Sequence, residues 1–284
     1  MVARRKAPSS RRQPGKKRLT ARNADRHELY QRAVQSPAID AAFYSRWFKK
    51  YTGGDLRVLR EDFCGTAVLS CHHVKRHPAN RAIGVDLHWP TLAWGRIHNV
   101  RRLLDAEQQQ RLTLLQKNVL DVRSPKADAI VALNFSYSVF KTRKELSAYV
   151  RNCYRALKPG GVLFLDAWGG PDVQTQQTDK ARHGDFVYLW EQRRYDPISH
   201  EITCAIHFEF RDGSRLRDAF VYDWRLWTLA ELRELFDEAG FQDTHVLWEG
   251  TDRATGTGNG VFRRKERGDM DEAWISIVVG RKRD

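Results

Sequence analysis

The stretch Leu56–Asp86 constrains this chain more than any other. Leu56, Val58 and Leu59 make a short apolar run that reads as a buried strand, closed by the acidic pair Glu61 and Asp62. Cys64–Gly65–Thr66–Ala67 then turns tightly into a helical segment, and a second strand, Ala82–Leu87, carries Asp86 at its tip. An acid at that place can accept hydrogen bonds from both hydroxyls of a ribose, and small residues in the turn let a ligand approach the backbone. The unit points to an adenosine-bearing ligand. On this stretch alone, a βαβ unit that binds nothing is the competing reading.

The dinucleotide fingerprint G-x-G-x-x-G is absent, since only Gly65 falls in the turn. What stands there resembles motif I of the class I S-adenosylmethionine-dependent methyltransferases, an acid followed by G-x-G-x-G. Glu61 takes the acid position and Gly65 that of the middle glycine, while Phe63 and Ala67 replace the outer two. The resemblance implies S-adenosyl-L-methionine as cofactor, with Glu61, Cys64, Gly65 and Asp86 around it. Phe63 then alters the shape of the methionine end of the pocket.

Later segments follow in the order that family uses. Leu112–Gln116 reads as a third strand, followed by Asn118 and Val119; by the resemblance these face the adenine amino group and pack on the ring. Asp128–Asn134 reads as a fourth buried strand. Thr142–Leu157 is an amphipathic helix opened by the capping box Thr142/Glu145 and stopped by Lys158–Pro159–Gly160–Gly161. Val162–Asp166 begins a fifth strand. Thr228–Ala239 is a further helix, with Thr228/Glu231 as capping box and Gly240 as stop. Thr244–Trp248 and Ala273–Val279 have no helix between them and should pair antiparallel. The phrases LYQRAVQSP, LREDFCGTA, ALNFSYSVFK, YDWRLWTLAEL and GTGNGVF are similar to a bacterial-type family of class I methyltransferases that fixes no substrate.

After Asp166 some 60 residues intervene where a short loop would serve. Phe186–Arg194, Ile202–Phe210 and Ala219–Trp227 read as three strands with turns at Pro197–Ser199 and Asp212–Gly213, an antiparallel meander over the ligand edge of the sheet. The expected class is α/β: a Rossmann-like seven-stranded methyltransferase sheet with an antiparallel final hairpin and an inserted β-meander lid. A disordered basic tail is expected over 1–26 and a methyltransferase domain over 27–284, with the lid at 170–227. Of the lid aromatics Tyr188, Trp190, Tyr222, Trp224 and Trp227, about half should be core and the rest substrate wall.

Composition narrows the class. The hydrophobic share, 41 %, suffices for a full core, and no run of about 18 apolar residues marks a membrane span. No apolar stretch follows the N-terminal charges as a signal peptide would require. Four scattered cysteines and no paired Cys/His set imply a reduced, cytoplasmic setting and no metal. Residues 1–24 hold nine Lys or Arg and no acid, leaving +5 of the formal +14 on the remaining 260 residues. That tail reads as a tether to RNA or another polyanion, as a solubilising extension, or as an organelle transit peptide, which its missing apolar face disfavours.

Methyl transfer from a sulfonium needs alignment and exclusion of water more than a catalytic triad. Asn134 and Tyr137, with Ser136, lie just beyond the fourth strand, which in the family borders the transferred methyl. Asn134–Phe135–Ser136–Tyr137 faintly resembles the N-P-P-Y motif of amine-methylating enzymes but lacks both prolines. Tyr30, Tyr222, Arg225 and Glu249 are candidate substrate contacts, with a lid salt bridge as the alternative for Arg225. The leading expectation is methyl transfer to a small molecule under the lid. The others are an RNA or protein methyltransferase recruited by the tail, and a catalytically silent cofactor- or nucleic-acid-binding module.

Overall fold

The computed structural model describes residues 18–252, 254 and 256–284. Two helices come first, α1 (Arg26–Val34) and α2 (Pro37–Thr52). An alternating unit follows: β1 (Val58–Asp62), α3 (Val68–Arg76), β2 (Arg81–Asp86) and α4 (Trp89–Gly95). A wider π turn at Arg96–Val100 leads into α5 (Arg101–Leu103), α6 (Ala106–Gln110), β3 (Leu112–Gln116) and β4 (Ala127–Ala132). Then come α7 (Arg143–Ala156) and the long β5 (Leu157–Gly169). A separate antiparallel sheet is built from β6 (Gln177–His183), β7 (Phe186–Tyr195), β8 (Glu201–Phe210) and β9 (Arg215–Arg225). The chain closes with α8 (Leu229–Ala239), β10 (Gln242–Thr251), β11 (Gly258–Lys265) and β12 (Trp274–Arg281).

The main sheet has eight strands in the order β11-β10-β12-β5-β4-β1-β2-β3. From β5 to β3 the strands are parallel; β12 and β10 pair antiparallel, as the two helix-free strands required. The seven-strand count is thus short by β11, an edge strand whose residues are almost all exposed. The meander likewise has four strands, because β6 was missed: QTDKARH has no apolar alternation and pairs on one side only. Both capping boxes form as read, and Gly240 ends α8 in the left-handed region.

The two faces of the main sheet carry separate cores. On one, α7 and α8 cover Ile130, Leu163 and Val278; on the other, Tyr44, Trp47 and Phe48 of α2 cover Val131, Phe164 and Ile277. Arg60, fully buried, points across β1 into the first core. It binds Asp62 through two contacts of 2.6 and 3.0 Å and gives its remaining donors to the carbonyls of Val119 and Val122.

The domain boundary at 26/27 needs correction. Residues 18–25 are part of the fold: Leu19, Ala21 and Ala24 pack with Leu29 and Phe208 against the small sheet. Arg18 Nη2 donates to the Arg211 carbonyl at 3.0 Å and the Ala21 amide to Ser214 Oγ at 2.9 Å. The rest of the basic tail, 1–17, lies outside the described residues. No helix among the described residues is long and apolar enough to cross a membrane.

Candidate functional site

The loop after β1 is held in glycine territory without its glycines. Phe63, Gly65 and Ala67 have φ of 54°, 53° and 55°. Two side-chain-bearing residues therefore adopt the left-handed conformation that the motif normally assigns to glycine, at a cost of about 1–2 kcal/mol each. Packing holds them there: the Phe63 ring lies 6.0 Å from Phe140 and 5.7 Å from Tyr149. At Gly65 a Cβ would meet only Thr91 Cγ2, at 3.8 Å, so a side chain there would enter open cavity. Behind the loop the π turn that follows α4 comes close enough for Asn99 Nδ2 to reach the Thr66 carbonyl at 2.9 Å.

Asp86 ends β2 facing this loop. One carboxylate oxygen accepts from the Gly65 amide at 2.7 Å and the other from the His88 amide at 2.8 Å. Each oxygen keeps a further lone pair. Glu61 is 5 % exposed and spends one oxygen on Ser70, on both its amide (2.9 Å) and its hydroxyl (2.5 Å), pinning the first turn of α3. Gln31 Nε2 reaches Thr66 Oγ1 at 2.7 Å, so α1 is tied to the loop.

Glu61, Phe63, Gly65, Thr66, Asp86 and His88 wall a cavity of about 660 Å³, which also takes in Cys64, Asp40 and Tyr44 of α2, Asn134, Asp166, and Phe220 and Tyr222 of β9. A second lobe of about 460 Å³ lies between the small sheet and the β5/β10/β12 edge of the main sheet. The lobes share Tyr30, Val34, Asn134, Glu249 and Ile275 as walls and form one chamber. Tyr30 of α1 hydrogen-bonds Tyr222, closing the chamber between helix and small sheet.

Asn134 stands at the waist of the chamber with φ 55°. Its amide and that of Phe135 donate to the two oxygens of Asp166, at 2.6 and 2.9 Å. Three carboxyls facing the first lobe are pushed toward neutrality. Burial lifts Asp166 and Glu61 to about 7 and Asp40 to about 6, and the hydrogen bonds they accept only partly oppose it.

Several sequence-derived candidates lie elsewhere. Tyr137 is 1 % exposed and packs in the α7/α8 core, outside the chamber, because the turn after Asn134 rolls its ring inward. Asn118 is exposed and bonds the Leu120 amide, while Val119 is core; neither lines the chamber. Arg225 is taken by Glu231 (3.0 Å), the Lys141 carbonyl and the face of Trp227, so it is a brace between the small sheet and α8. Trp227 itself is core, whereas Tyr188, Trp190 and Trp224 line the second lobe. Gly258–Gly260 opens β11, and the Gly260 amide donates to Glu249 at 2.8 Å. Asp166 and Asp40 went unnoticed as site residues. The signal for Asp166 was present: one acid inside the otherwise apolar VLFLDAW.

Parallel strands carrying a ligand chamber at their carboxyl ends, closed on one side by an antiparallel pair, define a class I methyltransferase fold. Residues 64–163 match the model of a methyltransferase domain family. Solved structures agree in fold. DesVI of Streptomyces venezuelae aligns over 92 % of this chain and 99 % of its own at TM-score 0.65 and 20 % identity. CalS10, an amino pentose methyltransferase from Micromonospora echinaspora, aligns over 90 % and 95 % at 0.64 and 18 %. KedS8, a sugar N-methyltransferase from a Streptoalloteichus species, aligns over 99 % and 100 % at 0.62 and 22 %. No curated protein matches the sequence. The chain thus shares the fold of class I methyltransferases, with the family match confined to residues 64–163.

Proposed function

We propose that the protein transfers a methyl group from S-adenosylmethionine to a small molecule held in the second lobe. The observation that carries this reading is the single chamber: one lobe is walled by the motif loop and Asp86, and the other opens from it past Asn134. The donor set suits the cofactor. Asp86 offers carboxylate lone pairs for ribose hydroxyls, bare Gly65 leaves room beside them, and no phosphate needs a run of amides. Small acceptors are named for the neighbours themselves, an amino pentose for one and a sugar nitrogen for another.

When bound, the cofactor supplies an electrophilic methyl on a positively charged sulfur. The chain's part is placement. Asp86 and the Gly65 turn fix the ribose, and Asp40, Glu61 and Asp166, held toward neutrality by burial, can ionise as the positively charged sulfur enters. Asp166 holds the backbone of Asn134 and Phe135, and so fixes the waist through which donor and acceptor meet. Tyr30 and Tyr222 shut out water, which would otherwise misalign the acceptor.

Calorimetry with S-adenosylhomocysteine tests this. Wild-type protein should bind it, and Asp86→Ala should bind ten- to a hundredfold more weakly, since hydrogen bonds to a charged group contribute about 1.5–3 kcal/mol. Equal affinity in a folded Asp86→Ala protein would remove Asp86 from the site. Absence of binding by the wild type would remove the reading.

A further inference from the structure

The second lobe has a chemistry of its own. Asp172, Asp179, Glu249 and Asp271 all face it, and none of the four is in an ion pair with any described residue. Their concentration is unexpected in a chain whose formal charge is +14. No Lys or Arg among the described residues lines the lobe. Trp168, Tyr188, Trp190, Trp224 and Trp274 add aromatic wall to it. Trp190 meets Trp168 edge-on at 5.8 Å, and Phe135 stacks on the far side of Trp168 at 5.3 Å. Trp168 is 8 % exposed and its indole N–H has no partner, an unpaired donor that an oxygen of a bound molecule would satisfy.

We propose that the acceptor is a cationic primary or secondary amine that also carries a hydroxyl or ether oxygen. The proposal rests on the methyltransferase reading of the same chamber. Unpaired carboxylates attract an ammonium group, and the faces of Trp and Tyr add cation–π attraction to it in a partly desolvated site. A phosphate or carboxylate on the acceptor would meet the same four charges with the opposite sign.

Glu249 and Asn134 line both lobes, so the amine nitrogen sits between them. The incoming ammonium gives one proton to the Glu249 carboxylate. The freed lone pair attacks the methyl carbon, and the C–N bond forms as the C–S bond breaks. The bonding pair leaves on sulfur as a neutral thioether. The product is an N-methylammonium that carries the charge the sulfonium brought, and Glu249 returns its proton to solvent.

The test uses the full chain and a fragment set of hydroxylated primary and secondary amines. Each amine is paired with its neutral and its carboxylate isostere, and binding is read by ligand-observed NMR with and without S-adenosylhomocysteine. Amines should bind at least tenfold tighter than their isosteres. Asp179→Asn, an exposed position on β6 where the fold tolerates the change, should cut that preference severalfold, and Glu249→Gln should do so more strongly. Isosteres binding as well as the amines, a preference unchanged in both variants, or no amine binding at all would each overturn the proposal. Its failure is separable from that of the cofactor assignment, because binding of S-adenosylhomocysteine is measured on its own.

Discussion

Glu61 shows how a residue at a motif position can also hold the fold together. The resemblance puts an acid at this place for the cofactor; in the structure it walls the first lobe while gripping Ser70 in the first turn of α3. Its enclosure has a measurable sign. Burial lifts its carboxyl from 4.5 to about 7, so the native protein keeps a proton that the unfolded chain has already lost. Wherever the native state binds more protons, stability falls as pH rises, here from about 4.5 up through about 7. Glu61→Gln keeps an acceptor for Ser70 and cannot ionise. It should flatten this decline by an amount on the order of 2–3 kcal/mol. Urea midpoints at pH 5 and pH 8 read it directly; parallel losses in both proteins would place the titration elsewhere.

At the scale of elements, α4 sets how close the cofactor loop can be braced. A Cβ on Gly95 would lie 2.4 Å from the Thr66 carbonyl oxygen and 2.8 Å from its carbon, both backbone atoms that cannot swing away. Gly95→Ala should cost about 1–3 kcal/mol and weaken binding of S-adenosylhomocysteine, whereas Gly54→Ala, which meets only Thr52 Oγ1 at 3.8 Å, should do neither. A Gly95→Ala protein with unchanged melting temperature and affinity would show that the helix simply shifts. What could be read in advance at this scale followed local physics. α7 and α8 announced themselves by capping boxes and one apolar face, and β1, β4 and β5 by continuous burial. β6 and β11 did not, since an edge strand bonded on one side needs no apolar pattern. The candidate site was legible where chemistry is local, as in Gly65 and Asp86, which line the first lobe. It was illegible where it depends on rotation about the chain, which turned Tyr137 into the core and Asn118 out to solvent.

For the whole molecule, the described fold already takes in the segment from Arg18 to Ala24, ahead of the expected start at residue 27. Seven of the nine cations of the first 24 residues precede Arg18, whereas the segment from Arg18 to Ala24 is seated on the small sheet. Removing 1–17 should leave the melting temperature unchanged and reduce retention on heparin. Removing 1–24 should in addition lower the melting temperature by roughly 2–4 °C for each kcal/mol of lost packing. Equal melting temperatures for the two truncations would mean that the segment rests on the sheet without stabilising it. The three near-neutral carboxyls of the first lobe bear on how the molecule behaves as a container. Asp40, Glu61 and Asp166 stand close to the point of giving up their protons at physiological pH. A cation entering among them displaces those protons into the surrounding water. Occupancy of that lobe by a cation is thereby linked to proton release, and its affinity for one should rise as the pH climbs through about 6–7.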